Sequence, residues 1–193
     1  MGYGERPPAR AYADIGDGTW AAEPVDGRTP HRAAPVGEER NMSQTVSATV
    51  TLKEGMAFEA TATSGHRVML DAAERVGGRD RGFRPIEMLL IGLGGCTGMD
   101  VISLLRKMRQ DVTEYRVEVR GEQAEEHPRV YTEITVEHVI RGRALSEESI
   151  RRAVELSATR YCPASAMLGK AAHITHRYRM IDDESGAERT GSL

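Results

Sequence analysis

The sequence predicts one domain that mixes strands with helices. Three patterns carry that expectation: alternating apolar residues before position 71, a long apolar run from Pro85 to Gln110, and alternation again after Tyr115. At 193 residues the chain fits a single domain of ordinary size plus tails, enough to bury a core without staples. The net charge is −3 and the basic residues are dispersed, so the broad positive surface that phosphate-backbone binding needs is missing and no nucleic-acid partner is expected. Two cysteines do not make the disulfide framework of a secreted scaffold, and no N-terminal apolar segment resembles a signal peptide. We therefore expect a reducing cytoplasm, where a working disulfide is transient.

Residues 1–42 hold five of the eight prolines and only Ile15, Val25 and Val36 as aliphatic side chains. Such a segment buries too little to offset the entropy of ordering it, which predicts a disordered tail. Its Trp20 is either a docking residue or incidental, and Met42, just before regular patterning begins, is the expected start codon. The domain then spans 43–181. Val46, Ala48, Val50 and Leu52 alternate with polar residues, as do Met56, Phe58, Ala60 and Ala62 after the Lys53-Glu54-Gly55 turn. These are two strands of a hairpin, and His66 to Asp71 after Ser64-Gly65 is a short third. The loop from Ala72 to Arg84 carries Arg75, Arg79, Arg81 and Arg84 among glycines. It is either a solvated flexible loop or a flap whose arginine holds an anion or a thiolate.

From Ile86 to Cys96 only Glu87 is charged, so a helix there is apolar nearly all round and is expected to be enclosed by the protein. After Met99 the apolar residues Val101, Ile102, Leu104, Leu105 and Met108 form one stripe between Asp100, Arg106, Lys107 and Arg109, so that end surfaces. The uncharged run from Met88 to Met99 falls short of the roughly 20 apolar residues that cross a bilayer, which makes it core and excludes a membrane role. Gly94, Gly95 and Gly98 flank Cys96, and each costs a helix roughly 1 kcal/mol relative to alanine. Either another element packs tightly against this small-residue patch, or the glycines leave room for a substrate or a second thiol beside the Cys96 sulfur.

Further on, Tyr115, Val117 and Val119 alternate with charges, and Ile134, Val136, His138 and Ile140 oppose Glu133, Thr135 and Glu137, giving a second hairpin with one wet face. Ser146 is the expected N-cap of a helix running to about Arg160, with Ile150, Ala153 and Val154 on its buried side. Pro163 fits the first position of another helix and makes Cys162 its N-cap, where unsatisfied N–H groups favour a thiolate. Ile174, His176, Tyr178 and Met180 predict a last strand, and 182–193 reads as a disordered tail.

Spacing alone leaves open whether Cys96 and Cys162 meet. Other motifs are weak. Gly92-Leu93-Gly94-Gly95 follows no strand and is no dinucleotide loop. His173 and His176 are three apart, which on a strand points them to opposite faces, so no metal pair is expected. No Ser-His-Asp arrangement and no internal repeat is visible, and no cofactor is implied.

The combination of Pro85-Ile86-Glu87-Met88-Leu89-Leu90, Gly94-Gly95-Cys96 and Cys162-Pro163-Ala164-Ser165 resembles the OsmC/Ohr family of osmotically inducible and organic hydroperoxide resistance proteins over about residues 43–181. The Gly-Gly-Cys form and Arg160-Tyr161-Cys162 look most like its OsmC-like branch. The resemblance implies an α+β fold with antiparallel sheets wrapped around two central helices in an intertwined homodimer. It also implies a cysteine-based peroxidase of the oxidative stress response. In such an antioxidant oxidoreductase Cys96 becomes a sulfenate on a hydroperoxide, Cys162 resolves it to a Cys96–Cys162 disulfide, and an external dithiol reductant restores both. Leu89, Leu93 and Met99 would wall the substrate. Family members commonly carry a carboxylate directly after the motif proline, paired with an arginine. Here that position is Ile86, with Glu87 about 100° further round the helix, and Arg67 and Arg75 are candidates for the arginine. A second class stays open on the same scaffold: a binding or redox-sensing protein without turnover, with an apolar cavity at the interface.

Overall fold

The computed structural model describes residues 45–193, together with the backbone of two short strands further upstream. Those strands, β1 (Tyr12–Asp14) and β2 (Trp20–Ala22), pair antiparallel with Tyr12 opposite Ala22. They belong to a separate compact unit, Met1–Thr45. The expectations of a disordered tail over 1–42 and of a start at Met42 otherwise lie outside the described residues.

The second unit, Val46–Leu193, opens with an antiparallel meander of β3 (Ala48–Glu54), β4 (Ala57–Ala62) and β5 (Arg67–Leu70). The turns predicted at Gly55 and Gly65 form there with φ of 59° and 78°, a left-handed conformation that glycine adopts without steric cost. Every residue of β3 is exposed. The arginine-rich loop that follows is organised by a residue the sequence reading passed over. Asp71 is buried, and its carboxylate accepts the backbone N–H groups of Ala72 at 2.8 Å, Arg79 at 3.1 Å and Arg81 at 3.0 Å. Arg79 and Arg81 reach back to Glu54, while Arg84 pairs with Asp80 and donates to the Gly82 carbonyl.

The long apolar segment forms α1 (Glu87–Lys107). Its buried residues Leu93, Gly94, Thr97, Gly98, Val101 and Leu105 make one stripe at helical spacing, laid on β6 (Asp111–Gln123). Glycine is what permits that close approach. A Cβ on Gly94 would sit 2.9 Å from the Val119 side chain, and one on Gly98 would sit 3.2 Å from Val117, so the tight-packing alternative holds at these two positions. Gly92 and Gly95 face open space. The expected all-round enclosure is not observed within one chain: Leu89 and Ile91 are each 45 % exposed and Met99 is 70 % exposed, because the sheet covers a single side. By length and composition α1 is apolar enough to span a membrane, yet Leu93, Val101 and Leu105 are fully buried in the domain.

β6 forms the predicted hairpin with β7 (Tyr131–Arg143). Ser146 caps α2 (Glu147–Leu156), its hydroxyl accepting the Ser149 N–H at 3.2 Å, and the helix passes into a wide turn at Ser157–Tyr161 before α3 (Pro163–Leu168). The chain returns as β8 (His173–Asp182), which runs parallel to β7 from Glu133↔His173 to Gly142↔Asp182. This corrects the expectation of purely antiparallel sheets. The helical crossover between β7 and β8 is long enough to carry the chain back to the starting edge, as parallel pairing requires. The tail expectation for 182–193 is also corrected, since β9 (Glu188–Ser192) pairs antiparallel with β8 and completes the order β6-β7-β8-β9. Gly191 permits it, because a Cβ there would lie 2.3 Å from the Tyr178 ring. The α+β class stands. The two helices α1 and α2 cover one face of this sheet through Val101, Leu105, Ile150, Ala153 and Val154 against Ile140, Tyr178 and Met180.

Candidate active site

Cys96, Thr97 and Asp100 all lie on α1, and Cys96 and Asp100 are one turn apart, so their side chains emerge on one face. The wide turn after α2 places buried Ser157 against that face and then delivers Cys162 at the N-cap of α3. The result is a three-donor cluster. The sulfurs of Cys96 and Cys162 and a carboxylate oxygen of Asp100 lie within 4.8 Å of one another, and both cysteines are free. Cys162 is 3 % exposed and packs with Leu93, Ile134 and Val136, while Cys96 is half-buried at the edge of the same cluster.

Hydrogen bonds fix these groups from several sides. The Cys162 sulfur accepts the Ser165 N–H at 3.3 Å, the capping geometry expected from Pro163. Ser157 donates its hydroxyl hydrogen to Asp100 Oδ2 at 3.1 Å, so the 2.8 Å contact between Thr97 Oγ1 and Ser157 Oγ has Thr97 as donor. Thr97 and Ser157 are fully buried, which makes this short chain a fixed support for the carboxylate. Burial pushes the Cys96 thiol above its ordinary pKa. The Ala164 N–H opposes that shift, while Cys162 and Asp100 add to it. Asp100 is the group that sequence reasoning missed. It looked like an ordinary polar residue on the wet end of a helix, and only the turn at Ser157 brings it to the sulfurs.

Beside this cluster, a buried aromatic stack runs across the sheet. The Tyr115 hydroxyl and His138 Nδ1 are 2.7 Å apart, and the rings of Tyr115, His138 and His176 stack in succession with 6.1 Å between centroids. Burial raises the Tyr115 phenol well above its usual value, with Asp100 adding to the shift, and pushes His138 down to about 3. His173 is exposed and His176 buried, the opposite-face arrangement expected of a strand.

The other predicted site residues lie elsewhere. Glu87 is the exposed first residue of α1, roughly 13 Å along the helix from Cys96, and its carboxylate accepts the Arg84 N–H at 2.9 Å. Arg67 lies near Glu59 at 3.7 Å, and Arg75 lines a cavity of about 1040 Å³ with Phe58, Leu70, Ile86, Leu90 and Tyr131. Neither arginine is among the largest influences on the Cys96 thiol. Of the expected apolar wall, Leu93 is in the core under the sheet, and Leu89 and Met99 are exposed.

The family model for OsmC-like protein matches residues 77–177. Protein YhfA of Escherichia coli K12 is 39 % identical over 136 residues, covering 70 % of this chain and 98 % of YhfA. The crystal structure of an OsmC-like protein from Mycoplasma pneumoniae aligns with a TM-score of 0.62 at 20 % identity, over 72 % of this chain and 99 % of that one. An organic hydroperoxide resistance protein from Legionella pneumophila aligns at 0.54 and 12 % identity, over 69 % and 95 %. At those identities the two structures speak for the fold. Taken with the match across the cysteine-bearing segment and with the YhfA relationship, they lead to one conclusion: the chain belongs to the OsmC-like protein family.

Proposed function

We propose that the protein is a cysteine-based thiol peroxidase that reduces organic hydroperoxides in a reducing cytoplasm. One observation carries the reading: two free thiols far apart in sequence lie with their sulfurs within 4.8 Å. The Cys96 thiol gives its proton to solvent, and the thiolate attacks the terminal peroxide oxygen; the O–O bond breaks, the sulfur becomes a sulfenic acid, and the departing alkoxide takes a proton from solvent and leaves as the alcohol. The Cys162 sulfur then attacks that sulfur, the S–O bond breaks, water departs and a disulfide forms. An external dithiol reductant is oxidised in returning both thiols. Family membership and the Legionella protein described as an organic hydroperoxide resistance protein support this direction.

Thiol titration before and after one equivalent of cumene hydroperoxide is the test. Native protein is expected to lose both thiols rapidly, Cys96→Ser to show no fast reaction, and Cys162→Ser to stop at the sulfenate. Thiols that stay titratable in the native protein for minutes would overturn the proposal.

A second reading, a binding or redox-sensing protein without turnover, is favoured by the raised Cys96 pKa and by the largely apolar 1040 Å³ cavity near the start of α1. Repeated peroxide consumption with a dithiol present excludes it; stoichiometric oxidation alone supports it.

A further inference from the structure

Asp100 has no part in the peroxide chemistry above. Its hydrogen-bond partner among the described residues is the Ser157 hydroxyl, not a basic side chain. A carboxylate oxygen and two thiol sulfurs within 4.8 Å of one another have the composition and spacing of a metal donor set. We propose that Cys96, Cys162 and Asp100 of the reduced protein bind a divalent ion of the zinc class.

The donors suit that metal: thiolate sulfur and carboxylate oxygen are both ordinary zinc ligands, and three protein ligands leave a fourth position open. On a tetrahedral zinc ion such donors stand roughly 3.6–3.8 Å apart, given metal–ligand bonds of about 2.0–2.3 Å. The three atoms already lie within 4.8 Å of one another, so small side-chain rotations close the site. The support around the ligands is also present. Ser157, itself held by Thr97, fixes one oxygen of Asp100, and the Ser165 N–H is directed at the Cys162 sulfur. Asp100 also lines a surface recess of about 200 Å³ with Ser103, Leu104, Lys107 and Tyr161.

The ion and the peroxide would compete. A bound cation occupies the lone pairs with which Cys96 and Cys162 attack, and the disulfide offers no thiolate to the cation. That consequence rests on the peroxidase reading, whereas the binding itself does not. The site would then hold metal only in the reduced state.

Cobalt(II) titration of the reduced full-length protein without oxygen reads the site directly. A thiolate-to-cobalt charge-transfer band with tetrahedral d–d bands is expected, saturating at one ion per chain, displaced by zinc and absent after oxidation to the disulfide. Asp100→Asn is expected to weaken binding at least tenfold while both thiols stay titratable, and Ser157→Ala to weaken it about tenfold or more. Absence of the band in native protein, its persistence in Cys96→Ser, or unchanged affinity in Asp100→Asn would each overturn the proposal. Because no peroxide is present, protein that shows the band but fails the peroxide titration keeps the metal site and loses the peroxidase.

Discussion

His138 is the residue whose burial has the clearest consequence in solution. It is fully buried, stacked between Tyr115 and His176, with its Nε2 lacking a hydrogen-bond partner among the described residues. Burial lowers its pKa to about 3 from an ordinary 6.5. Between those values the unfolded chain binds a proton that the folded one refuses, so folding stability falls as pH drops from about 6.5 toward about 3, by up to about 1.4 kcal/mol per pH unit. Denaturant unfolding at pH 6, 5 and 4 should show that slope in the native protein and a shallower one in His138→Phe. Parallel slopes would place the ring in contact with water. Asp71 acts in the same direction: backbone N–H groups, that of Arg81 foremost, hold its carboxyl below the usual range, so the loop it organises weakens as that carboxyl protonates in acid.

At the scale of elements, α1 is defined by which of its glycines are pressed. Gly94 and Gly98 meet Val119 and Val117, whereas Gly92 meets nothing within 4 Å. Gly94→Ala gains about 1 kcal/mol of helix propensity but forces a methyl against a valine, with a net loss of about 1–2 kcal/mol expected in thermal unfolding. Gly92→Ala has only the gain, unless a second subunit covers it. The sequence disclosed what depends on near neighbours: the two hairpins, the Ser146 cap, and the Cys162 cap set by Pro163. It did not disclose the direction of β8, because alternation is the same in parallel and antiparallel strands, nor β9, whose Glu188-Arg189-Thr190-Gly191-Ser192 has no apolar rhythm. In the site, Cys96 and Cys162 were legible from residue type, and their closeness was not. Asp100 and Ser157 were invisible because only the turn between α2 and α3 joins them.

At the scale of the molecule, much apolar surface is exposed among the described residues. β3 is exposed along its whole length, with Val50 and Leu52 more than half exposed, and α1 presents Leu89, Ile91 and Met99 outward. Patches of this kind mark association surfaces. We propose that a second copy of the chain covers them. Sedimentation should give a dimer for the native protein and a folded monomer for Met99→Glu. A monodisperse monomer in the native protein would remove the dimer.

The crossover joining β7 to β8 also bears on how the site comes into being. Cys96 leaves the ribosome well before Cys162, and β8, which pairs with β7, follows later still. Over that interval Cys96 is the one thiol of the emerging chain. On the peroxidase proposal, a Cys96 sulfenate formed then has no second cysteine to condense with and is open to irreversible overoxidation. Nascent chains, rather than finished molecules, would be the vulnerable population in a cell under peroxide stress.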